Sequence, residues 1–143
     1  MCFEVRQRKK IKHQKLLDYV KPDKQVRKSD ALFQKAGKLK YPKSIISGEP
    51  TQVIHHWIFK SQATNTRYDL DDNAIPLTIV EHDIIHNRTK RSVLETQITL
   101  SKGEDWQRRI LDKSTVFQKM NEEFVNNAIY RLEAVIERLN ETS

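Results

Sequence analysis

Residues 53–59 read VIHHWIF, two adjacent histidines inside a run that is otherwise apolar, β-branched and aromatic. That composition predicts a β-strand. Successive side chains on a strand point to opposite faces, so His55 and His56 must meet different surroundings. A fold gains little from such a doublet. A site gains two imidazoles with separate tasks.

Downstream, the polar connection KSQATNTRYDLDDN leads to a second apolar run, AIPLTIV, in which Pro76 predicts an edge strand or an extended segment. EHDIIHNRTKRSVLETQ then reads as helix. Ser101-Lys-Gly-Glu104 has the form of a capping box opening a short helix through Leu111. Ser114 is placed to cap a terminal helix of about 25 residues. Upstream, Pro22 suits a first helical position and Gly37 a stop, which predicts a helix over residues 22–36. Val26, Ala31, Leu32 and Ala36 would form its apolar side. The expected fold is α+β: a small ββα unit with one helix before it and further helices after it. Three segments follow: a basic arm over 1–21, a core with flanking helices over 22–112, and a terminal helix over 113–143.

The 143 residues suit one ordinary domain. Their net charge of +7 is unevenly placed: residues 1–43 carry fourteen lysines and arginines against four acidic groups, and the remainder is slightly acidic. A basic end on a near-neutral body suits binding to a phosphate backbone; the alternative is a solvated lysine-rich face. Arg6, Arg8, Lys9, Lys10, Lys12 and Lys60 are the candidate nucleic-acid contacts. Cys2 is the single cysteine, which excludes a disulfide framework and a thiolate zinc site. There is no run of transmembrane length and no apolar leader, so the expected location is the cytoplasm.

His82 and His86 stand at i and i+4, neighbours on one helix face and a spacing that lets two imidazoles share a divalent ion. Alone, that spacing also suits a purely structural pair. Four of the five histidines, however, fall in the hairpin-plus-helix segment, and only His13 lies outside it. A strand doublet there offers one histidine to a metal and leaves the next free to act on water.

IHHWI, TRYDLDDNAIPL and EHDIIH together resemble the HNH, or ββα-metal, endonuclease family, in particular its phage-type members. The His-His, Asn, His-x-x-x-His arrangement is also similar to the nuclease domain of DNase colicins. A looser similarity is to recombination nucleases of the lambdoid NinG (Rap) type. The resemblance covers residues 44–90, about a third of the chain. It implies a bacterial, phage-encoded enzyme of recombination, packaging or host-DNA breakdown, with DNA as partner and one divalent metal as cofactor (magnesium, manganese, zinc or nickel). It makes His55, His82 and His86 the metal ligands, His56 the base that activates water and Asn73 the residue that orients the loop bearing it. Arg67 would contact phosphate; the alternative is an Arg paired with Asp69 or Asp71.

Related members carry cysteine pairs that form a structural zinc knuckle. Here those positions read Ser44, Ser47, Thr78 and Glu81, which predicts that the structural zinc is lost and the catalytic metal kept. Ile45, Ile46, Trp57, Ile79 and Val80 would supply packing in its place. The rival functions are a non-catalytic nucleic-acid-binding protein with a structural histidine metal site, and an inactive relative serving as an interaction module. In the terminal helix, Val125, Ala128, Leu132, Val135 and Leu139 form a seam for this chain's own core or for a second copy in a homodimer.

Overall fold

The computed structural model describes residues 24–87 and 89–142, so Arg6, Arg8, Lys9, Lys10 and Lys12 lie outside the described residues. Helix α1 covers residues 24–40 and runs past Gly37 rather than stopping there. The glycine marks a close approach: a Cβ at this position would sit 2.5 Å from Cγ1 of Ile54. The buried face of α1 is Ser29, Phe33, Ala36 and Gly37, with Leu32 and Val26 half-buried, while Ala31 points to solvent.

Strand β1 (Val53–His55) pairs antiparallel with β2 (Ile75–Leu77), in the register Val53 to Leu77, Ile54 to Pro76 and His55 to Ile75. The apolar run thus forms a strand only as far as His55. Beyond it, the Asn73 side chain takes over the partner's role: its Oδ1 accepts from Ile58 N at 2.7 Å and its Nδ2 donates to Ile58 O at 3.0 Å. Pro76 is tolerated because the sheet has two strands and both are edges. Its carbonyl accepts from Ile45 N at 3.0 Å.

Helix α2 (Ile79–Ile85) opens on a complete capping box between Thr78 and Glu81. The single helix expected over 81–97 is two helices, because Asn87 Oδ1 accepts from both the backbone N and the hydroxyl of Thr89 and turns the chain. Helix α3 (Arg91–Lys102) follows, with Ser101 inside it. Gly103, at φ 91°, separates it from α4 (Glu104–Ser114), whose start has no side-chain cap. The capping box expected at Ser101 is therefore absent. Ser114 closes α4 rather than opening the terminal helix, and Asn121 caps that helix, α5 (Glu122–Glu141), which has 20 residues.

The hairpin lies between two cores. Phe33 and Ala36 of α1 pack with Ile54, Tyr68, Leu70, Ala74 and the α5 residues Ala128, Leu132 and Ile136. On the other side, Ile75 and Leu77 pack with Ile85, Leu94, Ile98, Trp106 and Ile110. The seam of α5 meets this chain's own core: Val125, Ala128 and Leu132 are buried, Val135 and Leu139 half-buried. Among the described residues, no helix is long and apolar enough to cross a membrane.

Residues 44, 47, 78 and 81 converge around one carboxylate. Ser44 Oγ donates to Glu81 Oε1 at 2.5 Å and Thr78 N to the same oxygen at 2.8 Å. Burial opposes the charge on Glu81, but these hydrogen bonds, with a further one from Ser47, hold its carboxyl below the ordinary range. Ile45, Ile46 and Trp57 pack nearby as expected. Ile79 and Val80 do not, being 55% and 68% exposed, because the first turn of α2 presents Glu81 inward.

Candidate metal centre

β1 and α2 place three imidazoles together. Strand alternation turns His55 toward α2, and the four-residue spacing on α2 stacks His82 and His86 on the facing side. Ring centroids lie 5.2 Å apart for His55 and His82, 5.4 Å for His55 and His86, and 4.5 Å for His82 and His86. The candidate ligand nitrogens all fall within 4.8 Å of one another, with His82 and His86 Nε2 at 3.0 Å. An ion held at about 2.0–2.1 Å by each nitrogen needs donors roughly 3–4 Å apart, a small side-chain rotation from this arrangement. The donor set fits a single divalent cation. No fourth His, Cys, Asp or Glu joins the group among the described residues.

The three environments differ usefully. His55 is 4% exposed, whereas His86 faces solvent. Burial, followed by the cationic tendency of His82, His86, His56 and Arg91, pushes the His55 imidazole down to about 3. His82 is lowered as well, by burial and by His86. At neutral pH the His55 and His82 lone pairs are therefore available to a metal without loss of a proton. Phe59 walls the cluster: its ring stacks on His86 at 5.9 Å and meets the His55 ring edge-on at the same distance. Sequence reading passed over Phe59, although it ends the same apolar run four residues after His55.

His56 turns the other way, as alternation requires. Its ring stacks on Phe33 of α1 at a centroid distance of 4.6 Å and 20°. Its Nε2 lies 2.8 Å from the carbonyl oxygen of Arg67. Burial lowers its imidazole to about 4, against the hydrogen bond to Arg67, so it is neutral at neutral pH. Asn73 is fully buried, and its Nδ2 also donates to Thr66 O at 2.9 Å, which fixes the loop next to Arg67.

The Arg67 guanidinium makes a two-point pair with Asp30 of α1, Nε to Oδ1 at 3.1 Å and Nη2 to Oδ2 at 2.8 Å. Neither Asp69 nor Asp71 is its partner; those carboxylates pair with Lys113 and Lys40. Lys60 Nζ is 3.8 Å from Asp30 and its side chain is 46% exposed. Asp72 carries the largest ionic cluster of the described residues: Arg109 grips it at two points, Lys113 adds a third bond, and Trp106 Nε1 donates to its carbonyl at 2.7 Å. That cluster ties α4 to the loop ahead of β2.

No protein-family model matches this chain, and neither a curated protein nor a solved structure matches it.

Proposed function

We propose that the chain is a metal-dependent endonuclease of the HNH type that hydrolyses DNA phosphodiester bonds. The observation that supports this reading is the pairing of a three-histidine cluster on a hairpin–helix unit with a neutral imidazole, His56, adjacent in sequence but turned away from the cluster.

His55, His82 and His86 would hold one divalent cation. When bound, it supplies Lewis-acid polarisation of a phosphate oxygen. Three imidazole ligands favour zinc or nickel in affinity, and magnesium and manganese prefer oxygen. The chain's own contribution to the reaction is proton transfer. A neutral His56 accepts a proton from water as the water oxygen bonds to phosphorus and the bond to the 3′ oxygen breaks, the 3′ oxygen leaving with the bonding pair and taking a proton from solvent water. The resemblance implies products with 5′ phosphate and 3′ hydroxyl. Lys60 would meet backbone phosphate at the rim, which gives affinity without base readout.

The test is nicking of supercoiled plasmid by the full chain across a panel of divalent metals, beside His56→Ala and His82→Ala. Cleavage by the wild type that both variants lose supports the reading. A wild type that binds metal and never nicks, or a His56→Ala variant that nicks equally well, removes the nuclease and leaves a structural metal site.

A further inference from the structure

Four residues on one face of α1 grip the frame around His56. The Gln34 amide pairs with both main-chain groups of Ile54, donating to its carbonyl and accepting from its N–H at 2.8 Å each. Phe33 lies flat on the His56 ring. Asp30 holds the Arg67 side chain at two points, and Ser29 Oγ meets the Tyr68 hydroxyl at 2.6 Å. Asn73 holds the Thr66 carbonyl from the other side. The Arg67 carbonyl, the partner of His56 Nε2, is thus fixed through both of its neighbours and through its own side chain.

A carbonyl oxygen can only accept. In the neutral ring, the 2.8 Å contact therefore requires the proton on Nε2 and leaves the lone pair on Nδ1. Stacking against Phe33 opposes rotation of the ring out of its plane, because Phe33 is itself 1% exposed and packed in the first core. Apart from the Asn73 bond, these restraints come from α1, a helix outside the ββα unit.

We infer that Asp30 and Phe33 are positioning residues, holding His56 as its Nε2–H tautomer with Nδ1 as the proton-accepting atom. The assignment of a task to Nδ1 rests on the nuclease reading; the tautomer does not. Neither residue needs to touch substrate. Their effect is on orientation, so it falls on turnover rather than on substrate affinity.

The experiment uses the full chain labelled with nitrogen-15 and reads two-bond proton–nitrogen correlations of the imidazoles at neutral pH, alongside plasmid-nicking kinetics. The wild type is expected to show His56 as a single Nε2–H tautomer. Asp30→Asn and Phe33→Leu should give a mixture of tautomers and lower kcat by on the order of tenfold, with KM nearly unchanged. Ile110→Val, which loosens the second core away from His56, controls for lost stability and should keep both the tautomer and kcat. An Nδ1–H tautomer or a mixture in the wild type overturns the inference. So does an unchanged tautomer in both variants, or an unchanged kcat once the tautomer has shifted. Absence of nicking by the wild type overturns the nuclease reading instead, and the tautomer spectrum still decides the positioning of the ring.

Discussion

Replacing Gly37 with alanine should destabilise the protein, against the ordinary rule for helices. In a free helix interior, Gly→Ala stabilises by about 1 kcal/mol, through helix propensity. Here the added methyl would lie 2.5 Å from Ile54 Cγ1, 3.0 Å from Cδ1 and 3.3 Å from Cγ2. Ile54 has nowhere to go: it is 2% exposed and Gln34 holds both its N–H and its carbonyl. Overpacking of this kind costs roughly 1–3 kcal/mol, and the shortest contact puts it at the upper end. The net expectation is a loss of about 2 kcal/mol. The decisive measurement is a double-mutant cycle with Ile54→Ala, read by urea denaturation. Ile54→Ala alone should cost about 2–5 kcal/mol. In that background the three clashing atoms are gone, so Gly37→Ala should reverse sign and stabilise by about 1 kcal/mol. A Gly37→Ala effect of the same sign and size in both backgrounds would refute the close packing of α1 on β1.

Asn73→Ala should be among the most damaging single changes, because three backbone groups lose a buried partner. A loss of about 3–5 kcal/mol is expected, and a denaturation midpoint close to wild type would contradict the loop geometry. Acid should weaken the fold well above the carboxylate range. His55 and His56 titrate near 3 and 4 when folded and near 6.5 when unfolded, so the unfolded chain binds more protons between those values and stability falls as pH drops below 6.5. Each contributes roughly 2 kcal/mol between pH 7 and pH 5 in metal-free protein, and a flat urea midpoint over that interval would exclude the burial described for both rings. Asp72 adds a second, more acidic window. Hydrogen bonds from Arg109, then Lys113, pull its carboxyl down to about 2, so its contribution is present above about 4 and disappears as pH falls through 2. Asp72→Asn should therefore flatten the stability profile below pH 4 and leave the histidine window intact.

The sequence by itself determined those features that depend on near neighbours in the chain. Strand alternation alone separates His55 from His56, and the four-residue spacing puts His82 and His86 on one face of a helix. The order of hairpin and helix, and the apolar stripe of α5, were equally legible from periodicity. What the sequence left open, or led astray, depended on residues far apart. Gly37 reads as a helix stop until Ile54, seventeen positions later, occupies the space a side chain would need. Ser101 and Ser114 have the composition of caps, but Gly103 and Asn121 set the helix starts, since a cap is a geometry and several nearby residues offer the same atoms. Arg67 has carboxylates two and four positions away, yet its partner is Asp30, brought to it by the packing of α1. The hydrogen bonds of VIHHWIF show the same division. Its alternation is local and fixes which way each histidine faces. Which nitrogen of His56 carries the proton is decided by a carbonyl eleven residues on and by a helix residue twenty-three positions back, contacts that exist only once the chain has folded.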